Sequence, residues 1–244
     1  IDIVSNKPDV LTAAEYRQYA QENSIDITAF DKGANTSWFD EIMRTGISQN
    51  HDLSVSGAGT NNSYRVSVSY LDQEGVVMDN YQKRLNTRFS VNQKALKDRL
   101  DLTLSGGLNQ RDYQATQTYH FVLAYNVVPT IPVKNADGTW WDSDEYDQGN
   151  PVRQMTYNKF PRKTGLLYVN GKATLKITNG LSAGINIYKE RNSYDAGDYT
   201  DSRTRTGRAS TGLASRSSST SDKNLLDTTI NYARKFGRHD VNVL

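Results

Sequence analysis

The chain has 244 residues with 29 basic and 27 acidic side chains, and its net charge of +2 supplies no global field to steer it towards nucleic acid or an acidic substrate. It has no cysteine, which excludes a disulfide scaffold, a thiol nucleophile and any thiolate-held zinc or iron–sulfur centre. Only 36% of residues are hydrophobic and no apolar run reaches the ~18 residues of a transmembrane helix, whereas transmembrane strands need only ~9–11 tilted residues and leave no such run.

The chain opens on Ile1-Asp2-Ile3 and closes on Val241-Asn242-Val243-Leu244 inside an alternating run, so both ends are expected to be cut from a longer protein. Residues 8–23 read as a helix, with Thr12 and Glu15 at capping-box spacing and Ala13, Tyr16 and Ala20 on one stripe. A second short helix is expected over 38–44. From there the hydrophobic period changes from 3.6 to 2.

Strands are predicted at 46–58, 62–74, 80–94, 99–113, 163–177, 181–194, 208–218, 222–234 and 239–244. In the second, Tyr64, Val66, Val68 and Tyr70 alternate with Arg65, Ser67 and Ser69. Equivalent apolar sets are Leu53 and Val55; Leu85, Thr87, Phe89 and Val91; Leu100, Leu102, Leu104 and Leu108; Leu167, Val169, Ala173, Leu175 and Ile177; Leu181, Ala183, Ile185 and Ile187; Leu226, Thr228, Ile230 and Tyr232. These are expected to face lipid. Their polar neighbours, among them Arg65, Asn86, Arg88, Asn92, Asp101, Asn170, Lys172, Asn186 and Asn231, suit a watered interior.

Short connections such as Asn61-Asn62, Lys97-Asp98, Asn179-Gly180 and Gly237-Arg238 alternate with long ones at 71–80, 114–162 and 195–207. A soluble β-sandwich also alternates. Strands of ~12–15 residues, against a usual five or six, and two unequal rims favour a barrel wall with the short rim in the periplasm. Tyrosines near strand ends, such as Tyr81, Tyr113 and Tyr188, fit an interfacial girdle.

Asn35-Thr36-Ser37-Trp38-Phe39-Asp40-Glu41-Ile42-Met43-Arg44-Thr45-Gly46 and then Gln49-Asn50-His51-Asp52-Leu53-Ser54-Val55-Ser56-Gly57 resemble the SusC/RagA family of TonB-linked outer-membrane transporters. Leu71-Asp72-Gln73-Glu74-Gly75-Val76-Val77 is similar to the bend after that family's third strand, and the stretch from Asn224 to Leu244 to one of its strand–turn–strand units. The resemblance implies an all-β chain that is part of a 22-stranded antiparallel transmembrane β-barrel, the plug domain lying outside this chain. It divides the chain into 1–45, the end of a barrel strand plus an extracellular loop with short helices; 46–113, strands; 114–162, a long extracellular loop; and 163–244, strands. It also implies active import of oligosaccharides or peptides across the outer membrane of a Gram-negative bacterium, and a SusD-like surface lipoprotein as partner. The TonB complex would act through a region absent here, outer-membrane lipid and lipopolysaccharide would surround the barrel, and the assembly would be a SusCD-type dimer.

Enzyme motifs are absent. His51, His120 and His239 are far apart in sequence, and no His-Glu-x-x-His, Gly-x-Ser-x-Gly or P-loop occurs. The most suggestive chemistry is in the long loop, where Trp140 and Trp141 beside Asp142, Asp144 and Tyr146 have the stacking rings and hydroxyl acceptors with which proteins grip sugars. The alternative is a loop anchored by its own aromatics. No cofactor is expected, the nearest candidate being a calcium ion among Asp137, Asp142, Asp144 and Glu145, whose spacing misses the EF-hand loop. Arg191, Arg203, Arg205, Arg208 and Arg216 form a basic cluster, open either to anionic groups such as lipopolysaccharide phosphate or to Asp195, Asp198 and Asp201 as internal partners. Two other functions fit the residues: a passive outer-membrane porin, and a surface glycan-binding β module.

Overall fold

The computed structural model describes residues 1–4, 7–114, 117–141 and 149–244. One antiparallel sheet carries β1 Ser48–Ala58, β2 Asn62–Glu74, β3 Tyr81–Ala95, β4 Leu100–Gln114, β5 Pro161–Thr178, β6 Leu181–Thr200, β7 Leu213–Phe236 and β8 His239–Val243, each bonded to its successor in chain order. Among the described residues five helices punctuate it: α1 Ala13–Glu22, α2 Trp38–Ile42, α3 Thr118–Asn126, α4 Pro151–Tyr157 and α5 Arg205–Arg208. None of them is long and apolar enough to cross a membrane.

Directly opposed residues share a face, so the register sorts the wall into two surfaces. One row runs Leu53, Val68, Thr87, Leu108 and Leu167; another runs Tyr64, Val91, Leu104, Gly171, Ile187 and Leu226. Most of these side chains are exposed, with Thr87 and Leu108 half-buried between their neighbours on the sheet. The opposite face carries an amide and hydroxyl network: Asn92 bonds Ser63 and Thr103 at 3.2 and 3.0 Å, Asn109 donates to Asn86, and Asn170 donates to Asn186 at 2.9 Å. Every apolar set predicted from the alternation falls on the first face.

Two strand boundaries differ from expectation. No turn separates the predicted seventh and eighth strands, because Ser219, Ser221 and Lys223 pair straight through with Tyr194, Asn192 and Glu190. The resulting β7 has 24 residues. Serine, threonine, aspartate and asparagine favour turns locally, but here the partner strand supplies the backbone hydrogen bonds and overrides that tendency. For the same reason β6 continues to Thr200, and the connection after it spans 201–212.

The buried apolar core sits at the long-loop rim, not in the sheet. Trp38, Phe39 and Ile42 of α2, Val77, Ala124 of α3, Val127, Ile131, Trp141, and Val152 and Met155 of α4 form it. The first loop and the long loop are joined by hydrogen bonds across it: Trp38 Nε1 donates to the Val128 carbonyl at 3.0 Å, Thr36 Oγ1 to Ile131 at 2.6 Å and Thr130 Oγ1 to Phe30 at 3.0 Å. Outside it α1 begins at the expected capping box, in which Thr12 and Glu15 satisfy each other's backbone amides. Arg17 of that helix grips Asp31 through Nε at 2.7 Å and a second nitrogen at 2.8 Å, and this holds the Asp31 carboxyl down at about 2.

Candidate functional site

The long-loop rim is where side chains from separate loops converge. Gln114, the last residue of β4, donates to Asp79 in the β2–β3 connection, and Lys159 closes on the same carboxylate. Asn158, buried after α4, accepts from the Asp201 amide at 2.9 Å and from Thr204 Oγ1 at 3.3 Å. Thr206 Oγ1 reaches Gln154 Oε1 at 2.9 Å. Three connections are thereby fastened together by groups that sequence separation alone does not relate.

Arg203 makes a two-point charge contact at the rim. It meets Asp201 through Nε at 2.9 Å and a terminal nitrogen at 2.7 Å, while its guanidinium lies 3.8 Å from the centroid of the Tyr157 ring. The pair and the Arg203 amide hold the Asp201 carboxyl well below the usual range and raise the guanidinium. The remaining aspartates near the predicted basic cluster are engaged too: Asp195 by Arg216 at 2.6 Å, Asp222 by Arg191 at 2.7 Å and Asp198 by Arg162 at 2.5 Å. Arg191, Arg203 and Arg216 of the predicted cluster are thus each paired with an aspartate.

His120 of α3 is 5% exposed, lies among aromatic rings of Tyr119 and Phe160, and finds no partner for Nδ1 among the described residues. Burial pushes its pKa down to about 4, with Asp79 opposing.

On the apolar face, a feature invisible in the sequence appears just beyond the hydrocarbon rows. Asp72, Lys83, Asp112, Lys163 and Asp195 stand directly opposite one another on five consecutive strands, alternating in sign. Lys83 reaches Asp72 and Lys163 reaches Asp112, each at 3.5 Å. The alternation within each strand was readable, but only the register aligns the charges.

No family model matches the chain. A TonB-dependent receptor of Formosa agariphila is 27% identical over 99% of the chain and 25% of its own length, and the TonB-dependent receptor SusC of Bacteroides thetaiotaomicron is 32% identical over 62% of the chain and 16% of its own length. The RagAB peptide importer in its closed-closed state superposes over 94% of the chain and 28% of the solved chain, with a TM-score of 0.68 at 16% identity. The chain is thus similar in sequence to TonB-dependent receptors, SusC among them, and shares its fold with part of the RagAB importer. It spans about a quarter of the length of the Formosa receptor.

In this wall the aromatic pair of the long loop is divided between two environments. Trp141 is 7% exposed and belongs to the rim core. Trp140 is half-buried, donates Nε1 to Tyr157 Oη at 3.0 Å, meets that ring edge-on at a centroid distance of 5.9 Å, and carries the Lys134 ammonium 4.8 Å from its own centroid. Asp142, Asp144 and Tyr146, together with Glu145, lie outside the described residues. Asp137, proposed as a fourth calcium ligand, accepts from the Thr139 amide at 2.9 Å and from its hydroxyl at 2.6 Å, forming the turn that presents Trp140.

Proposed function

We propose that this chain is wall and extracellular loops of a SusC-like TonB-dependent outer-membrane importer, closed in the whole protein as a 22-stranded barrel. Its cargo is an oligosaccharide or a peptide. A SusD-like surface lipoprotein covers the loop rim, in a dimeric SusCD-type assembly, and the TonB complex energises passage through a region outside this chain. Within the loop, the stretch from Trp140 to Tyr146 is the cargo contact we favour, with Trp141 as its anchor in the rim core.

The observation that carries the reading is a single sheet with an exposed apolar face, an amide-rich opposite face and two unequal rims, in a chain related to TonB-dependent receptors over 99% of its length. A bilayer tolerates exposed apolar side chains but not unpaired backbone groups, and a sheet paired strand to strand meets both conditions once closed. Uptake of labelled oligosaccharides and peptides, measured in cells with the TonB complex intact and disabled, tests it. Import should fall to background without TonB; equal uptake in both would establish passive diffusion instead.

A further inference from the structure

We propose that a groove on the apolar face, centred on Gly165, takes the phosphate-bearing headgroup of a membrane lipid, with the acyl chains lying down the hydrocarbon rows beside it. The inference rests on the reading that this face meets lipid. The groove encloses about 630 Å³ and crosses the wall along the row Tyr70, Leu85, Gln110, Gly165, Ser193 and Thr220, in which each residue directly opposes the next. Side-chain size makes the recess. At Gly165 the row loses its side chain altogether, and a Cβ there would stand 2.5 Å from Ser193 Oγ.

The chemistry changes in order across the recess. On the long-loop side is the charged row, whose Lys83 and Lys163 side chains are 54% and 68% exposed. Each ammonium has three donors and its aspartate, at 3.5 Å, engages at most one of them, so both retain donors for another anion. Asp195, which would compete for Lys163, is already taken by Arg216 at 2.6 Å. The middle level offers the hydroxyls of Ser193 and Thr220. On the short-turn side follow Leu53, Val68, Leu108 and Leu167, the row ending beyond them in the mutually neutralised Arg191–Asp222 pair. Ammonium, hydroxyl and hydrocarbon in that sequence complement the phosphate, polar linker and acyl chain of one lipid molecule, and the recess is continuous with the lipid-facing rows. A soluble anion would use only the first of the three levels.

The test uses the full-length protein, purified in detergent, with heat-modifiable gel migration confirming the barrel. Bis-phosphorylated lipid A is added and retention read by native mass spectrometry, alongside dephosphorylated lipid and inorganic phosphate. Wild type should retain lipid A, and at least fivefold less should remain on the Lys83→Ala/Lys163→Ala double variant and on Gly165→Leu, which fills the recess. Dephosphorylated lipid should be held at least fivefold less and inorganic phosphate should not displace lipid A. Equal retention by the wild type and the lysine variant, equal retention of the dephosphorylated lipid, or displacement by inorganic phosphate would overturn the proposal. A folded barrel that retains no lipid A sinks the groove alone, whereas a protein with no heat-modifiable barrel sinks the lipid-facing reading beneath it.

Discussion

The ring of Phe89 lies over Gly106, the residue directly opposite it on the next strand. A Cβ at Gly106 would come within 2.7 Å of that ring and 2.8 Å of the Tyr168 carbonyl oxygen. On the other face Tyr168 covers its own opposite, Gly107, where a Cβ would stand 2.6 Å from the Thr87 carbonyl and 3.0 Å from the tyrosine ring. Tyr64 repeats the arrangement over Gly57. Glycine weakens a strand by itself, and an aromatic ring laid across it restores the lost contact and pins the register.

Gly106→Val should therefore destabilise the barrel by about 1–3 kcal/mol, since two of the atoms it meets cannot both move aside. Gly171→Ala is the matched control on the same face, because nothing lies within 4 Å of a Cβ there, and it should be neutral or mildly stabilising. Urea unfolding of vesicle-reconstituted full-length protein, followed by tryptophan fluorescence, separates the two.

The β3–β4 turn places Leu96, Lys97 and Asp98 in succession at φ of 53°, 55° and 63°. Each non-glycine residue there carries about 1–2 kcal/mol of steric cost. Lys97→Gly should stabilise the hairpin by about 1 kcal/mol after the added flexibility of the unfolded chain is subtracted. The same unfolding measurement reads it, and a loss of stability would mean that the Lys97 side chain makes a contact outweighing the backbone cost.

Much of the wall was legible from alternation alone, since strands exposed on one face to hydrocarbon and on the other to water must alternate. Asn179-Gly180 marked its hairpin through a backbone that glycine accepts at φ of 83°. The extent of β7 was not legible: Ser217 to Asn224 has turn chemistry, and only its pairing with β6 makes it strand. Nor was the division of Trp140 from Trp141, because neighbouring identical residues differ here solely in what packs on them.

That division predicts different phenotypes. Trp141→Ala should cost about 3–5 kcal/mol of local stability and expose the long loop to protease. Trp140→Ala should leave the loop resistant while weakening cargo binding. Limited proteolysis paired with a cargo-binding titration distinguishes them; similar protease sensitivity in both would remove Trp140 as a contact residue.

His120 predicts a pH response. Its folded pKa of about 4 lies below the unfolded value near 6.5, so the rim is at full stability above about pH 6.5. Stability is lost as pH falls from there to about 4, where the folded protein also takes the proton, for a total of about 3 kcal/mol. Hydrogen exchange of the α3 amides should accelerate across that window, and His120→Phe should flatten the response. An unchanged profile in the variant would assign the effect to other groups.

The common core of the rim has an evolutionary corollary. Trp38 of the first loop is bonded to Val128 of the long loop, and Asn158 at the far end of that loop to the segment after β6. A single loop grafted from a relative with a different cargo would arrive without its partners, leaving Ile42 and Ile131 exposed and the Asn158 side chain and the Asp201 amide without each other. New specificity in such a wall is inherited as a matched set of loops, and chimaeras that exchange all of them together are the ones that should assemble.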